Sequence, residues 1–142
     1  MTSLRRVIAA AALLVSGAAS ANEFERVPPV AHDPTRKECG ECHMAFQPGL
    51  LPAASWNRIM EGLADHFGDK ASLPPEIAGP IRAYLTANAG RGDGRLTRVT
   101  EQRWWLHEHR FDPAVWKRRD VVSKANCEAC HRGASKGLYE DD

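Results

Sequence analysis

The chain has 142 residues, with 19 basic and 18 acidic side chains for a net charge of +1. That balance excludes the basic face nucleic acid requires, and the densest basic run, Lys117-Arg118-Arg119, is broken at once by Asp120. The length suits one small domain or a pair of lobes.

Residues 1–21 come first. Arg5 and Arg6 precede an apolar run from Val7 to Ala19, and Ala19-Ser20-Ala21 supplies a small-x-small cleavage site. This is the layout of an export signal, too short for a bilayer span of about 20 residues. Cleavage after Ala21 leaves 17 basic and 18 acidic residues. The remaining chain is expected to be exported to the periplasm and soluble there.

A helix is predicted over 37–45. It carries Cys39, Cys42 and His43, at i, i+3 and i+4, which share one helical face. On that face two thiols can bond one edge of a flat ligand while the imidazole reaches its centre. Covalent haem needs that arrangement, with two thioether links and one axial nitrogen on the iron. A zinc knuckle or a redox pair also uses Cys-x-x-Cys, so one motif alone leaves the choice open.

The next predicted helix covers 55–67. Trp56, Ile59, Met60, Leu63 and Phe67 recur at helical spacing, with Ser55 as its cap and Gly68 as its stop. His66 borders the stripe one turn after Gly62, where the missing side chain would admit a flat group. Its bland alternative is a histidine at a helix end. Met60, mid-stripe, suits core packing. Met44 adjoins His43 and cannot reach the opposite side of the same metal. His32, ahead of Pro34, reads as surface in an extended segment.

A third helix is predicted over 75–89, kinked or split at Pro80. The glycine-rich "GRGDG" at 90–94 reads as a flexible break between an N-terminal lobe, 22–89, and a C-terminal lobe, 95–142. The second lobe opens with a predicted helix over 100–109, capped by Thr100. His107 and His109 are two residues apart and so face different sides of it. Trp104, Trp105 and Phe111 offer flat apolar surface nearby. Further helices are expected over 113–121, starting at Asp112-Pro113, and over 124–132.

That last stretch repeats the motif as Cys127, Cys130 and His131, and the two motifs use every cysteine in the chain. The repetition decides the chemistry. A four-cysteine zinc site has no use for a histidine after each pair, and 84 residues between the pairs far exceed a ribbon spacing of about 15–20. A thioredoxin-like strand pattern is missing. Two covalent haem c groups are therefore expected, held by Cys39, Cys42, Cys127 and Cys130, with His43 and His131 as axial iron ligands. The sixth ligands remain to be chosen among His32, His66, His107, His109, Met44 and Met60. A core this small should depend on the porphyrins for apolar surface.

The first motif, the following "HMAFQPGLLPAASW" and the "GLADHFGD" stretch make the chain resemble the small soluble dihaem cytochromes c of bacteria. The resemblance spans roughly residues 37–139. It implies a mainly α fold, small and cytochrome c-type, in two lobes around one haem each. It also implies bis-histidine ligation and electron transfer, with partners such as an oxygen-binding or membrane-linked cytochrome. Carried onto this chain, it makes His66 the distal ligand of the first haem. In the second lobe the family's aromatic-then-Glu-His pattern falls on Glu108-His109, which makes His109 the distal ligand with His107 as second choice. The expected protein is a monomeric electron carrier of low potential rather than an enzyme. The rival reading is a small dihaem oxidoreductase or peroxidase with one displaceable sixth ligand.

Overall fold

Proline and glycine set the helix boundaries in the first half of the chain, and several fall elsewhere than hydrophobic periodicity suggests. The computed structural model describes residues 26–140, so the predicted export signal lies outside the described residues. Helix α1 is Asp33–Cys39, with Pro34 in its first turn and Gly40 as its C-cap. Proline pre-sets φ for a first turn, which starts the helix four residues before the predicted 37. His32 is the N-cap, bonded through Nδ1 to Thr35 Oγ1 at 2.9 Å and stacked on Tyr84. Because α1 ends at Cys39, the three residues of the first motif do not share a helical turn. Cys42 and His43 follow in a turn and bend.

Helix α2 is Ala53–Glu61, capped by Pro52 and ended by Gly62. The predicted 55–67 therefore splits. Gly62 stops the α-helix, a 3-10 turn follows over Leu63–Asp65, and His66 lies beyond it in a tight turn. Ser55 is no cap. It is fully buried inside α2, and its hydroxyl donates to the Leu96 carbonyl at 2.5 Å. Helix α3, Pro75–Ala87, runs unbroken through Pro80. Pro80 instead falls on its half-exposed to exposed side, away from Ile81 and Leu85, which pack inward.

The core lies where α2 meets α3. Leu50, Leu51, Trp56, Ile81 and Leu85 are buried there and are joined by Val99 and Trp105 from the second half. Those two tie the C-terminal residues to the same core. Below them α-structure thins. Residues Val99–Glu101 form a 3-10 turn and helix α4, Arg103–Glu108, begins after Gln102, so Thr100 caps nothing. The helices predicted over 113–121 and 124–132 shrink to 3-10 turns at Val115–Lys117 and Cys127–Ala129. Segments this short cannot sustain an α-helix on propensity alone.

Buried polar bonds join the halves. Gln47, with no exposed surface, donates to the Ala134 carbonyl at 2.7 Å and accepts from the Tyr139 hydroxyl at 2.5 Å. Gln102 accepts from the Asp93 amide at 2.9 Å and donates to the Asp93 carbonyl at 3.1 Å. Gly90 lies against the backbone of Gly49, where any Cβ would collide with the Gly49 carbonyl oxygen. Gly137, at φ 78°, receives the Val27 amide on its carbonyl at 2.9 Å and so closes the two ends of the described chain on each other. The described residues contain no strand, only isolated bridges at Arg26–Leu138 and His66–Asp69. The fold is mainly α. None of the described helices is long and apolar enough to cross a membrane.

Candidate metal centres

The turn after α1 carries His43 out to an exposed position. Its Nδ1 lies 2.8 Å from the Met44 carbonyl. A carbonyl only accepts, so Nδ1 carries the proton and Nε2 keeps its lone pair for a metal. The turn after α2 brings His66 opposite. Its amide and carbonyl pair with Asp69 at 2.7 and 3.2 Å, and Phe67 adopts a left-handed φ of 59° to make the turn. Non-glycine residues take that conformation at a cost, and it clusters at functional sites. The His43 and His66 ring centroids are 6.3 Å apart, with the planes at 25°. Desolvation and then the neighbouring His43 push the His66 imidazole below its ordinary value, toward the neutral form that ligates metals.

The second motif makes one turn without a helix, and the His131 amide bonds the Cys127 carbonyl at 2.8 Å. His131 faces His109, which follows α4 directly. Their centroids are 6.1 Å apart and their planes meet at 79°. His109 Nδ1 donates to the Trp105 carbonyl at 2.9 Å, again leaving Nε2 as the free lone pair. Between them opens a cavity of about 520 Å³. Trp104, Trp105, Trp116, Tyr139, Cys127 and Cys130 are among its walls. That volume is in the usual range for a bound organic group. Burial pushes the Cys127 thiol up to about 11 and raises Cys39 as well, with Glu38 adding to the latter.

His107 does not join the pair. It points outward and bonds Glu108 at 3.1 Å and Arg110 at 3.4 Å. Met60 packs on the core, Met44 contributes its carbonyl to His43, and His32 caps α1. Sequence reasoning missed Trp116, which closes on His109 at 6.2 Å, and Tyr139, which meets His131 edge-on at 5.6 Å. Neither sits in a periodic element. For Trp116 the only available signal was its place between His109 and the second cysteine motif, and Tyr139, beyond that motif, offered none.

The two pairs test whether haem fits. A metal bound at about 2.0–2.1 Å by one nitrogen of each ring holds the ring centroids about 6.3 Å apart. The observed 6.3 and 6.1 Å match that span on both pairs, and in each the motif histidine lies beside its two cysteines. Among the described residues no three His, Cys, Asp or Glu side chains gather at one point. The four cysteines therefore do not build a common zinc site. Two protein nitrogens per metal suffice only if something else fills the other four positions, as a porphyrin does.

Known proteins are similar to this chain in sequence and fold. A family model described as dihaem cytochrome c matches residues 35–139. The crystal structure of DHC purified from Rhodobacter sphaeroides is 41 % identical, covers 78 % of this chain and 98 % of its own, and superposes with a TM-score of 0.71. A second structure of a diheme cytochrome c from Rhodobacter sphaeroides is 38 % identical, covers 79 % and 99 %, and gives 0.70. A diheme cytochrome type c from Shewanella baltica OS155 is 35 % identical, covers 76 % and 86 %, and gives 0.69. No curated protein matches the chain.

Proposed function

This chain belongs to the dihaem cytochrome c family and carries two covalently bound haem c groups, and we propose that it is a periplasmic electron carrier whose two irons each sit between two histidines. Cys39 and Cys42 attach the first haem, with His43 and His66 as axial ligands. Cys127 and Cys130 attach the second, with His131 and His109. The observation that carries this reading is the pair of imidazole separations, 6.3 and 6.1 Å, each matched to one metal between two rings.

Bound haem supplies a one-electron couple, and this chain's residues hold it without offering an open position. The Met44 and Trp105 carbonyls fix the tautomers of His43 and His109 and make both stronger donors. Two imidazoles in place of a thioether lower the potential. Six-coordinate iron has no site for a substrate, which favours a carrier over a peroxidase. The partners are redox proteins, such as an oxygen-binding or membrane-linked cytochrome, met by a monomer. Residues 95–140 carry ten basic and six acidic side chains, whereas 26–94 carry seven and eight. Such asymmetry orients a charged partner.

Magnetic resonance of the oxidised protein should show two low-spin irons, and the reduced protein should bind carbon monoxide slowly or not at all. His66→Ala should turn one haem high-spin, His109→Ala the other, and His107→Ala neither. Rapid carbon monoxide binding by the unmodified protein, or a high-spin iron in it, would support the oxidoreductase instead.

A further inference from the structure

The two histidine pairs have nearly the same separation but opposite ring orientations. His43 and His66 lie at 25°, whereas His109 and His131 lie at 79°. One residue fixes the His109 side of the second angle. The Trp105 indole stacks on the His109 imidazole at 4.1 Å and 6°, and the Trp105 carbonyl takes the His109 ring proton at 2.9 Å. Trp105 is itself 4 % exposed, belongs to the core cluster and packs on Trp116 at 5.4 Å. The plane of His109 is thus tied to the hydrophobic core. Among the described residues, the aromatic neighbours of the first pair are tilted rather than parallel. Phe46 meets His43 at 43° and Phe67 meets His66 at 56°.

We propose that Trp105 is a positioning residue that holds the His109 imidazole near perpendicular to His131, and thereby makes the two haems electronically different. The proposal rests on the bis-histidine reading above. An axial imidazole donates π density into the iron d orbital normal to its own plane. Near-parallel rings act on one orbital of the d pair and split it. Near-perpendicular rings act on one orbital each and leave the pair close in energy. Splitting stabilises the oxidised iron, so this contribution makes the second haem easier to reduce than the first. Neighbouring groups that fix ring orientation are a recognised means of tuning a metal. Here the same core that holds the fold sets the direction in which an electron settles.

Low-temperature electron paramagnetic resonance of the full-chain oxidised holoprotein tests this. Two low-spin signals are expected, one rhombic with three resolved features and one strongly anisotropic with only its low-field feature resolved. Trp105→Leu keeps apolar bulk but removes the plate. It should move the anisotropic signal toward the rhombic form, lower the potential of the second haem and leave the rhombic signal in place as an internal check on folding. Trp105→Phe keeps a flat face and should keep the anisotropic signal. Two rhombic signals in the unmodified protein would overturn the proposal, as would identical spectra from the Leu and Phe variants. A high-spin signal in the unmodified protein would instead overturn the bis-histidine reading, which separates the two failures. If Trp105→Leu fails to fold, the unmodified protein and Trp105→Phe still decide the question.

Discussion

The first haem half is built from helices and the second is built around a hole. Residues 26–94 hold α1, α2 and α3, which pack on one another and present His43 and His66 at their ends. Residues 95–140 hold one six-residue helix and several single turns, arranged about a cavity of about 520 Å³ with three tryptophans in its wall. The difference teaches that one half can order itself by burying its own side chains, while the other needs the group it encloses. The largest predicted effect follows. Without the group it encloses, the wall formed by Trp104, Trp105 and Trp116 loses its packing partner. Replacing Cys127 and Cys130 with alanine should therefore unfold the second half and sharply reduce the melting temperature. Replacing Cys39 and Cys42 should leave more helix by circular dichroism. Equal losses in the two variants would break the comparison.

A smaller effect sharpens it. His43 is exposed and His131 is half-buried beneath aromatic rings. Added imidazole should enter the His66→Ala protein quickly and restore a low-spin spectrum. In His109→Ala it must pass between Trp105, Trp116 and Phe111, which surround the lost ring. Stopped-flow absorbance should show slower rescue there. Faster rescue of the second site would mean that its aromatic wall is no barrier.

How far the sequence reveals these two halves follows the same division. The cysteine motifs were legible because two thioether links and one axial nitrogen fix the sequence spacing, whatever the backbone around it. Helix α3 was legible from Pro75 to Ala87 because its apolar residues pack on α2 at helical period. His66 was legible as a candidate but for a mistaken geometric reason. Gly62 does not open a helix face to the porphyrin. It ends the helix, so that His66 swings out on a turn. The choice of His109 over His107 was open to residue chemistry alone. The structure separates the two side chains: α4 ends at Glu108 and His109 turns back under Trp105, while His107 stays with Glu108 in solvent, and the proposed ligation by His109 rests on that. The helices expected over 113–121 and 124–132 failed because composition shows helix-compatible residues but not the cofactor that replaces their packing partner. Gln47 was invisible, since its partners are 87 and 92 residues away.

Gln47 gives the next prediction, because it joins the halves rather than serving either. Gln47→Leu keeps approximate volume but leaves the Tyr139 hydroxyl without its partner and the Ala134 carbonyl with the Gly137 amide alone. A buried polar group left unpaired costs about 1–3 kcal/mol, and a loss of that order is expected. Denaturant unfolding should show it, with both haem spectra unchanged in native buffer. A spectral change confined to one haem would place Gln47 in that half instead of at the joint.

The smallest effect lies at the other joint. The Asp93 carboxylate receives the Arg95 amide at 2.9 Å and the Arg95 guanidinium at 2.7 Å, and these bonds hold it down at about 2 from an ordinary 3.8. A carboxylate depressed on folding contributes stability that is fully present above the unfolded value and lost as the pH falls through the folded one. The window is therefore about pH 4 down to about 2. Asp93→Asn keeps the backbone bonds to Gln102 but loses the charge, so it should melt slightly below the parent at pH 5 and converge with it near pH 2. Melts followed in the far ultraviolet avoid signals from ligand protonation at the haems. Because the ion pair is exposed, screening keeps the effect small, and added salt should shrink it further. A gap that widened toward pH 2 would show that Asp93 is held by something other than its charge on Arg95, and that the joint rests on the Gln102 bonds alone.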